Sequence, residues 1–260
     1  PAGNGSSSGF NLTYSVTVPV GVSAGASLVN TAGVRNFTGP TNSGTPFTYV
    51  PGNNIDPTLN PNTDPARDTS SIVTALPTIN KTATTGFTGA GNNAANEATV
   101  GETISYTVTV GVRNDLTYYN ASITDNLDAE KDLVAGTVTA TFNGGPLPVG
   151  FSLNVNDATN RWNVAFPTPY TVPAGPDPQI VIMFDATVVD VASNTRGTST
   201  SNRADFNFAN IGGTNRNVNN SVTTRIVEPR IVLAKADDDP TGVVDAGQVV
   251  NYTVTATNDN

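Results

Sequence analysis

The chain of 260 residues carries 12 Lys and Arg against 21 Asp and Glu, a formal net charge of −9, and contains neither Cys nor His. This composition excludes disulfides, thiolate nucleophiles, Cys/His zinc sites and histidine acid–base catalysis. The acidic balance argues against nucleic-acid partners, whose phosphates select basic surfaces. No apolar run approaches the roughly 20 residues that span a bilayer, so no membrane span is expected.

The composition is rich in Thr, Val, Asn and Gly, and only 13% of the residues are charged. β-Branched residues favour strands, and Asn and Gly favour turns, so an all-β fold is predicted. Apolar residues alternate with polar ones at 12–20, 104–112 and 138–142, which is the period of a strand with one buried face. Asn143-Gly144 predicts a two-residue hairpin turn, and the continuous apolar run 180–184 predicts a strand that is covered on both faces.

The chain also repeats itself with a period of about 150 residues. Residues 100–110 (Val-Gly-Glu-Thr-Ile-Ser-Tyr-Thr-Val-Thr-Val) return at 246–256, and each copy follows a strand that begins after Pro77 or Pro229. Residues 1–77 are accordingly predicted to be the C-terminal part of a first β-sandwich repeat, 78–228 a complete repeat, and 229–260 the N-terminal part of a following one. Ends that lie inside repeats fit either a segment of a longer chain or a subunit completed by strand addition from a neighbour.

Four pieces of sequence resemble a known family when taken in order. They are Lys81, residues 100–110, the Ile-Thr-Asp-Asn-Leu at 123–127, and Asn-Arg-Ala at 202–204, with Asn-Thr-Ala at 30–32 as a second copy of the last. Together they resemble the conserved repeat domain of bacterial cell-surface proteins known as domain of unknown function eleven. The resemblance implies tandem immunoglobulin-like β-sandwich repeats on the outside of a bacterial cell. The sequence departs from the family pattern in two ways. Asp128 stands where the family usually has Pro, and the stretch from about 143 to 179 is longer than is typical.

Strand alternation places three polar side chains on apolar faces, namely Lys81, Asp125 and Asn202. Related surface domains carry an internal isopeptide bond between Lys and Asn, so the resemblance implies a Lys81–Asn202 cross-link assisted by Asp125. Lys235 and Asn30 are the equivalent positions in neighbouring repeats. Two alternatives remain open, a buried Lys–Asp ion pair without chemistry and an error in the assumed strand parity.

Asp237, Asp239 and Asp245 cluster near the predicted joint with the third repeat. Carboxylates at a joint suit Ca²⁺, but a solvated acidic turn explains the same residues.

The function predicted from these features is a structural repeat of a bacterial surface fibre, stalk or sheath protein, with neighbouring repeats of the same or an identical chain as partners. The alternative is an adhesive module that binds a glycan, a surface or a host protein through loops such as 39–66 or 143–179. Apart from single-turnover formation of the cross-link, no enzymatic activity is expected.

Overall fold

The computed structural model describes residues 11–33, 37–40, 46–49, 67–86, 92, 94–228 and 231–258, and these are almost entirely β-structure. Among them, no helix is long and apolar enough to cross a membrane. The strands, in chain order, are β1 (Val22–Ser23), β2 (Ser27–Gly33), β3 (Phe37–Pro40), β4 (Pro46–Tyr49), β5 (Arg67–Val73), β6 (Thr78–Thr85), β7 (Glu97–Ala98), β8 (Thr103–Gly111), β9 (Leu116–Asn126), β10 (Lys131–Leu133), β11 (Thr139–Phe142), β12 (Ser152–Asn156), β13 (Arg161–Ala165), β14 (Tyr170–Thr171), β15 (Gln179–Val188), β16 (Ser199–Ala209), β17 (Asn215–Ile226), β18 (Ile231–Asp237) and β19 (Tyr252–Asn258).

Two sheets form a sandwich at the centre of the chain. The first sheet has the order β12-β13-β9-β16-β17-β7, with β1 and β14 also paired to β9. The second has the order β10-β15-β8-β6, with β11 also paired to β15. The predicted all-β, immunoglobulin-like sandwich is therefore confirmed.

The core lies between the inner faces of these two sheets. On β8 the inward positions Ile104, Tyr106, Val108 and Val110 are buried, while the Thr and Ser residues between them are not. Burial of such apolar area contributes about 25 cal/mol per Å² and is the main force that holds the sheets together. The apolar run of β15 is covered on one face only, contrary to the sequence prediction, because Met183 points away from the core and is 52% exposed.

Strand β9, which lies inside the first sheet, contains a bulge that sequence alternation did not predict. Asn120 has a positive φ of 48°, and the pairing with β16 gains one extra residue on β9 between Tyr119 and Ser122. The inward aromatic side chain is consequently Tyr118, whereas unbroken alternation counted back from Asp125 would place Tyr119 inward. Beyond the bulge the alternation resumes, so Ala121, Ile123 and Asp125 face the core.

Residues 143–179 contain strands and are not the surface loop that the sequence suggested. Asn143 and Gly144 form the predicted two-residue hairpin turn, with φ values of 48° and 78°. Farther along, β12 and β13 form a second hairpin that extends the first sheet through pairing of β13 with β9. Of the other predicted loop, 39–66, residues 41–45 and 50–66 lie outside the described residues.

Residues 21–24 lie against the central sandwich, although the sequence assigns them to the preceding repeat. β1 pairs in parallel with the start of β9, and the amides of Gly21 and Ala24 donate to the carbonyl oxygens of Asp115 and Thr117 at 2.8 and 3.2 Å. Ala24 is completely buried as a result. Residues 12–20, predicted as a strand, are not in a strand among the described residues.

Candidate cross-linking site

Lys81 lies on β6, at the side of the sandwich where the two sheets meet. Its backbone amide donates to Oδ1 of Asn220 on β17, at 3.0 Å, which holds β6 of the second sheet against the first. In the antiparallel register with β8, Lys81 is paired with Val108. Because Val108 points into the core, Lys81 shares that direction, and only 4% of the residue is exposed.

The ammonium of Lys81 contacts Oδ2 of Asp125, which reaches it from β9 in the opposite sheet. Both side chains are fully excluded from solvent. The Nζ atom also lies 5.0 Å from the ring centre of Tyr106 and 5.4 Å from that of Phe184. The pair is thus set in an aromatic, low-dielectric environment, where unpaired charges are very costly.

Asn202, the third predicted side chain, lies on the inward face of the strand next to the one that carries Asp125. Ala204 of β16 pairs with Asp125 of β9, and Asn202 occupies the next inward-facing position on β16. Asn202 is 1% exposed, and its amide forms no hydrogen bond of normal geometry with the described residues. The Asn202 amide is nevertheless close enough to Asp125 to lower the pKa of its carboxyl group, although burial raises that pKa by more.

Several buried polar atoms in this region lack a hydrogen bond of normal geometry among the described residues. They are Oδ1 of Asp125, both amide atoms of Asn202, the hydroxyl of Tyr106 and Nε1 of Trp162. Trp162 lies directly opposite Asp125 in the β9–β13 ladder and is itself a core residue, 2% exposed. An unpaired buried polar group costs about 1–3 kcal/mol, so this arrangement is expensive for the folded state.

Burial shifts the protonation of both charged partners towards the neutral forms. Desolvation lowers the pKa of Lys81 to about 8, in spite of the attraction to Asp125. Desolvation likewise raises the pKa of Asp125 to about 6, in spite of Lys81 and the Asn202 amide. The structure therefore brings together a basic amine, a weak acid and a carboxamide in one dry cluster.

A second buried lysine, Lys131, escaped the sequence interpretation. It lies on β10 of the second sheet, is 1% exposed, and its Nζ donates to Oγ1 of Thr200 on β16 at 2.5 Å. Thr200 shares the inward face of β16 with Asn202. The sequence did contain a signal for this burial. Lys131 stands two residues before the apolar Leu133, so alternation would place both on one face of a strand, and the chain has only three lysines to consider.

The sequence matches no protein-family model and no curated protein. Among solved structures, the major pilin subunit BcpA of Bacillus cereus is similar with a TM-score of 0.44 and 14% identity, over 87% of this chain and 61% of that one. The major pilin SpaD of Corynebacterium diphtheriae has a TM-score of 0.43 and 18% identity, over 79% of this chain and 46% of SpaD. The pilus backbone protein RrgB of Streptococcus pneumoniae is similar with a TM-score of 0.41 and 15% identity, over 59% of this chain and 80% of the RrgB structure. The chain thus spans less than two thirds of the length of BcpA and of SpaD.

Lys235 and Asn30, predicted as the equivalents of Lys81 and Asn202, are both exposed. Lys235 is opposite Val254 in the β18–β19 ladder, and the residue two places later, Asp237, is opposite Tyr252. This repeats the β6–β8 register, in which Lys81 is opposite Val108 and Ala83 is opposite Tyr106. In both ladders the lysine also lies near a tyrosine ring. Nζ of Lys235 is 4.2 Å from the ring centre of Tyr252, which corresponds to Tyr106 in the sequence repeat.

The acidic residues near the third predicted repeat are arranged as a turn. Asp237 accepts a hydrogen bond from the Asp239 amide, and Asp239 accepts hydrogen bonds from the amide and hydroxyl of Thr241. Asp245 is exposed. Within the described ranges, no three acidic side chains lie close enough together to hold a metal ion.

Proposed function

We propose that the chain is a structural segment of an extracellular bacterial surface fibre, stalk or sheath, and that its complete repeat is closed by an isopeptide bond between Lys81 and Asn202. The observation that supports this most strongly is the solvent-free cluster of Lys81, Asp125 and Asn202 between the two sheets. The sequence repeat and the resemblance to bacterial surface repeat domains support the location and the fibre. Neighbouring repeats of the same or an identical chain are the proposed partners.

The reaction is a transamidation that needs no oxidant and no cofactor. The neutral amine of Lys81 attacks the carboxamide carbon of Asn202, and the carbonyl oxygen takes up negative charge. Protonated Asp125 donates its proton to this oxygen, then takes one proton from the attacking nitrogen and passes it to the side-chain nitrogen of Asn202. Asp125 recovers its first proton from the oxygen as the intermediate collapses. A new C–N bond replaces the old one, and the side-chain nitrogen of Asn202 leaves as ammonia.

Burial makes the reactive protonation state accessible. The reactive pair, an amine beside a carboxylic acid, holds the same number of protons as the ion pair, so one proton transfer converts one into the other. Burial lowers the pKa of Lys81 from 10.5 to about 8 and raises that of Asp125 from 3.8 to about 6. The two pKa values are thereby brought closer together, so this proton transfer costs much less than it would between the same groups in water.

The bond would have a mechanical role, because it ties β6 of one sheet to β16 of the other. A chain that lacks cysteine has no disulfide with which to make such a tie. Tension that pulls β6 away from the sandwich would then load a covalent bond instead of hydrogen bonds and apolar contacts. The shared register of the β6–β8 and β18–β19 ladders supports a series of such units along the fibre.

The adhesive alternative receives less support from the structure. One of its two candidate loops, 143–179, contains the β12–β13 hairpin, which is built into the first sheet, and most of the other lies outside the described residues.

The intact mass of the purified chain tests the proposal. We expect the mass to be lower than the sequence mass by one ammonia, and a proteolytic digest to yield a branched peptide that joins Lys81 to Asn202. Asp125→Ala should restore the full mass while retaining both reacting side chains. A wild-type chain of full sequence mass would leave the Lys81–Asp125 contact as a structural ion pair and would refute the cross-link.

A further inference from the structure

The predicted preceding repeat meets the central sandwich through a tight turn at residues 23–26. The backbone amide of Ala26 donates to the carbonyl oxygen of Ser23 at 3.2 Å and closes this turn, and Gly25 within it has a positive φ of 66°. Ser23 is only 4% exposed and Ala24 is completely buried. The turn is therefore seated in the surface of the sandwich.

The seat for this turn is built from two parts of the first sheet, the start of β9 and the turn 210–214 between β16 and β17. The start of β9 accepts two backbone hydrogen bonds from residues 21–24. The backbone amide of Ile211 donates to Oγ of Ser23 at 3.0 Å. The carbonyl oxygen of Ser23 in turn accepts a hydrogen bond from the hydroxyl of Thr74, just after β5, at 2.7 Å. Ser23 thus ties the sandwich to the β2–β5 hairpin of the preceding repeat.

The covalent linker between the two repeats is held by a second attachment. It comprises residues 74–77, between the end of β5 and the start of β6. Nε of Arg113 donates to the carbonyl oxygen of Leu76 at 2.8 Å, and Nη1 of the same guanidinium donates to Oδ2 of Asp177 at 2.7 Å. Pro77 is buried and its ring fixes φ. Arg113 therefore clamps a short, stiff linker to the sandwich.

The joint beside these attachments is not closely packed. A cleft of about 420 Å³ lies next to the linker, with Ile72 and Val73 of the preceding repeat and Asn114 and Leu116 of the sandwich among its lining residues. Closely packed interiors leave few voids larger than a water molecule. The orientation of the two repeats consequently depends on the seated turn and the clamped linker more than on apolar packing.

We propose that the end of the sandwich formed by the start of β9 and the β16–β17 turn is the docking surface for the preceding repeat, and that this seat and the Arg113 clamp together fix the angle between successive repeats. The inference rests on the proposed function, because it names the surface through which neighbouring repeats of a fibre meet. The partner that fits is a tight turn of small residues with a hydroxyl that accepts a hydrogen bond, as Ser23 does. A single attachment would leave the preceding repeat free to swing about it, whereas a second attachment through another element restricts that motion.

Two nitroxide labels measure the joint directly in the whole chain. The chain has no cysteine, so Ser71→Cys on β5 and Asn154→Cys on β12, both at exposed positions, provide unique attachment sites. Double electron–electron resonance then gives the distribution of distances between the preceding repeat and the sandwich. We expect one narrow distribution, because both attachments hold the joint.

Releasing both attachments should broaden this distribution. Ala24→Asp places a charge in the buried seat and displaces the turn, and Arg113→Gln removes the clamp on the linker. With both changes, the width of the distance distribution should about double, since domains joined by a small interface move relative to each other. The matched control, Ala192→Asp with Arg196→Gln, makes the same exchanges at exposed positions and should leave the width unchanged.

Hydrogen exchange at the amides of the β8–β15 ladder shows whether the sandwich stays folded in each variant. If the first pair of changes unfolds it, Ser23→Ala with Arg113→Gln removes one side-chain bond from each attachment, and the same broadening is expected. A broad distribution with both attachments intact, or an unchanged width in a folded double variant, would overturn the inference without affecting the cross-link. A chain of full sequence mass would refute the cross-link and leave the distance measurement to decide the joint.

Discussion

The ion pair between Lys81 and Asp125 joins the two sheets of the sandwich at a point that solvent does not reach. Breaking such a pair by removing one partner is strongly destabilising, whereas the intact pair offers little net stability. A site of this kind is therefore better suited to chemistry or specificity than to thermodynamic stabilisation, and the predictions below separate these roles.

Removal of the cross-link should lower the free energy of unfolding by an amount that depends on the length of the loop that the bond closes. The bond would close a loop of roughly 120 residues, which corresponds to about 5 kcal/mol in the chain-entropy treatment of cross-links. We expect Asn202→Ala to lower the free energy of unfolding by about that amount in chemical denaturation. Asn219→Ala, at an exposed position of β17, is the matched control and should change it by less than about 0.5 kcal/mol.

The reactivity of the lysines towards an amine-specific reagent should reveal which of them is consumed. In the native chain only Lys235 should be labelled, because Lys81 and Lys131 are buried. In strong denaturant Lys131 should become labelled as well, while Lys81 stays unreactive because its nitrogen is an amide. Peptide mapping by mass spectrometry reads all three positions, and labelling of Lys81 in denaturant would contradict the cross-link.

The stability of the chain without the bond should depend on pH in a defined way. Asp125 has a raised pKa in the folded state, about 6, so the folded state holds the extra proton and gains stability as pH falls from 6 towards 4. Lys81 has a lowered pKa, about 8, so the unfolded state holds the extra proton and folded-state stability rises as pH increases from 8 towards 10.

The buried pair should therefore contribute least to stability between pH 6 and 8 in the Asn202→Ala variant. The difference in unfolding free energy from a Lys81→Met/Asp125→Leu/Asn202→Ala variant isolates this contribution, because the remaining titratable groups are shared. We expect this difference to vary by up to about 3 kcal/mol on each side of the minimum. A difference that is constant from pH 4 to 10 would show that the two groups titrate normally.

The contact between residues 21–24 and the central sandwich should be separable from the sandwich itself. Ala24→Asp places a charge at a completely buried position and should release this segment while the core of the sandwich stays folded. Hydrogen exchange at the amides of Gly21 and Ala24, which donate to Asp115 and Thr117, should accelerate by at least about tenfold. Ser27→Asp, at an exposed position nearby, should leave both amides protected.

Much of the site was predictable because strand alternation depends only on neighbours in the chain. Lys81, Asp125 and Asn202 were placed on inward faces from their apolar neighbours two residues away, and the structure buries all three. The turn at Asn143-Gly144 was predictable for a similar reason, since positive φ at both positions is a preference of the residues themselves. The repeat predicted that Lys81 and Lys235 are equivalent, and the ladders that contain them share one register.

What the sequence by itself determined was thus local: which residues form strands, which side of a strand they face, and where some of the turns lie. Only the tertiary structure decided that Asp125 meets Lys81 across the sandwich and that Lys131 is buried against Thr200, because pairing between distant strands depends on contacts that alternation does not encode. It also placed Tyr118 instead of Tyr119 in the core, since a bulge arises from the register of β9 against β16. Solvent exclusion, which alters the protonation of Lys81 and Asp125, is a property of the assembled core and of no single strand.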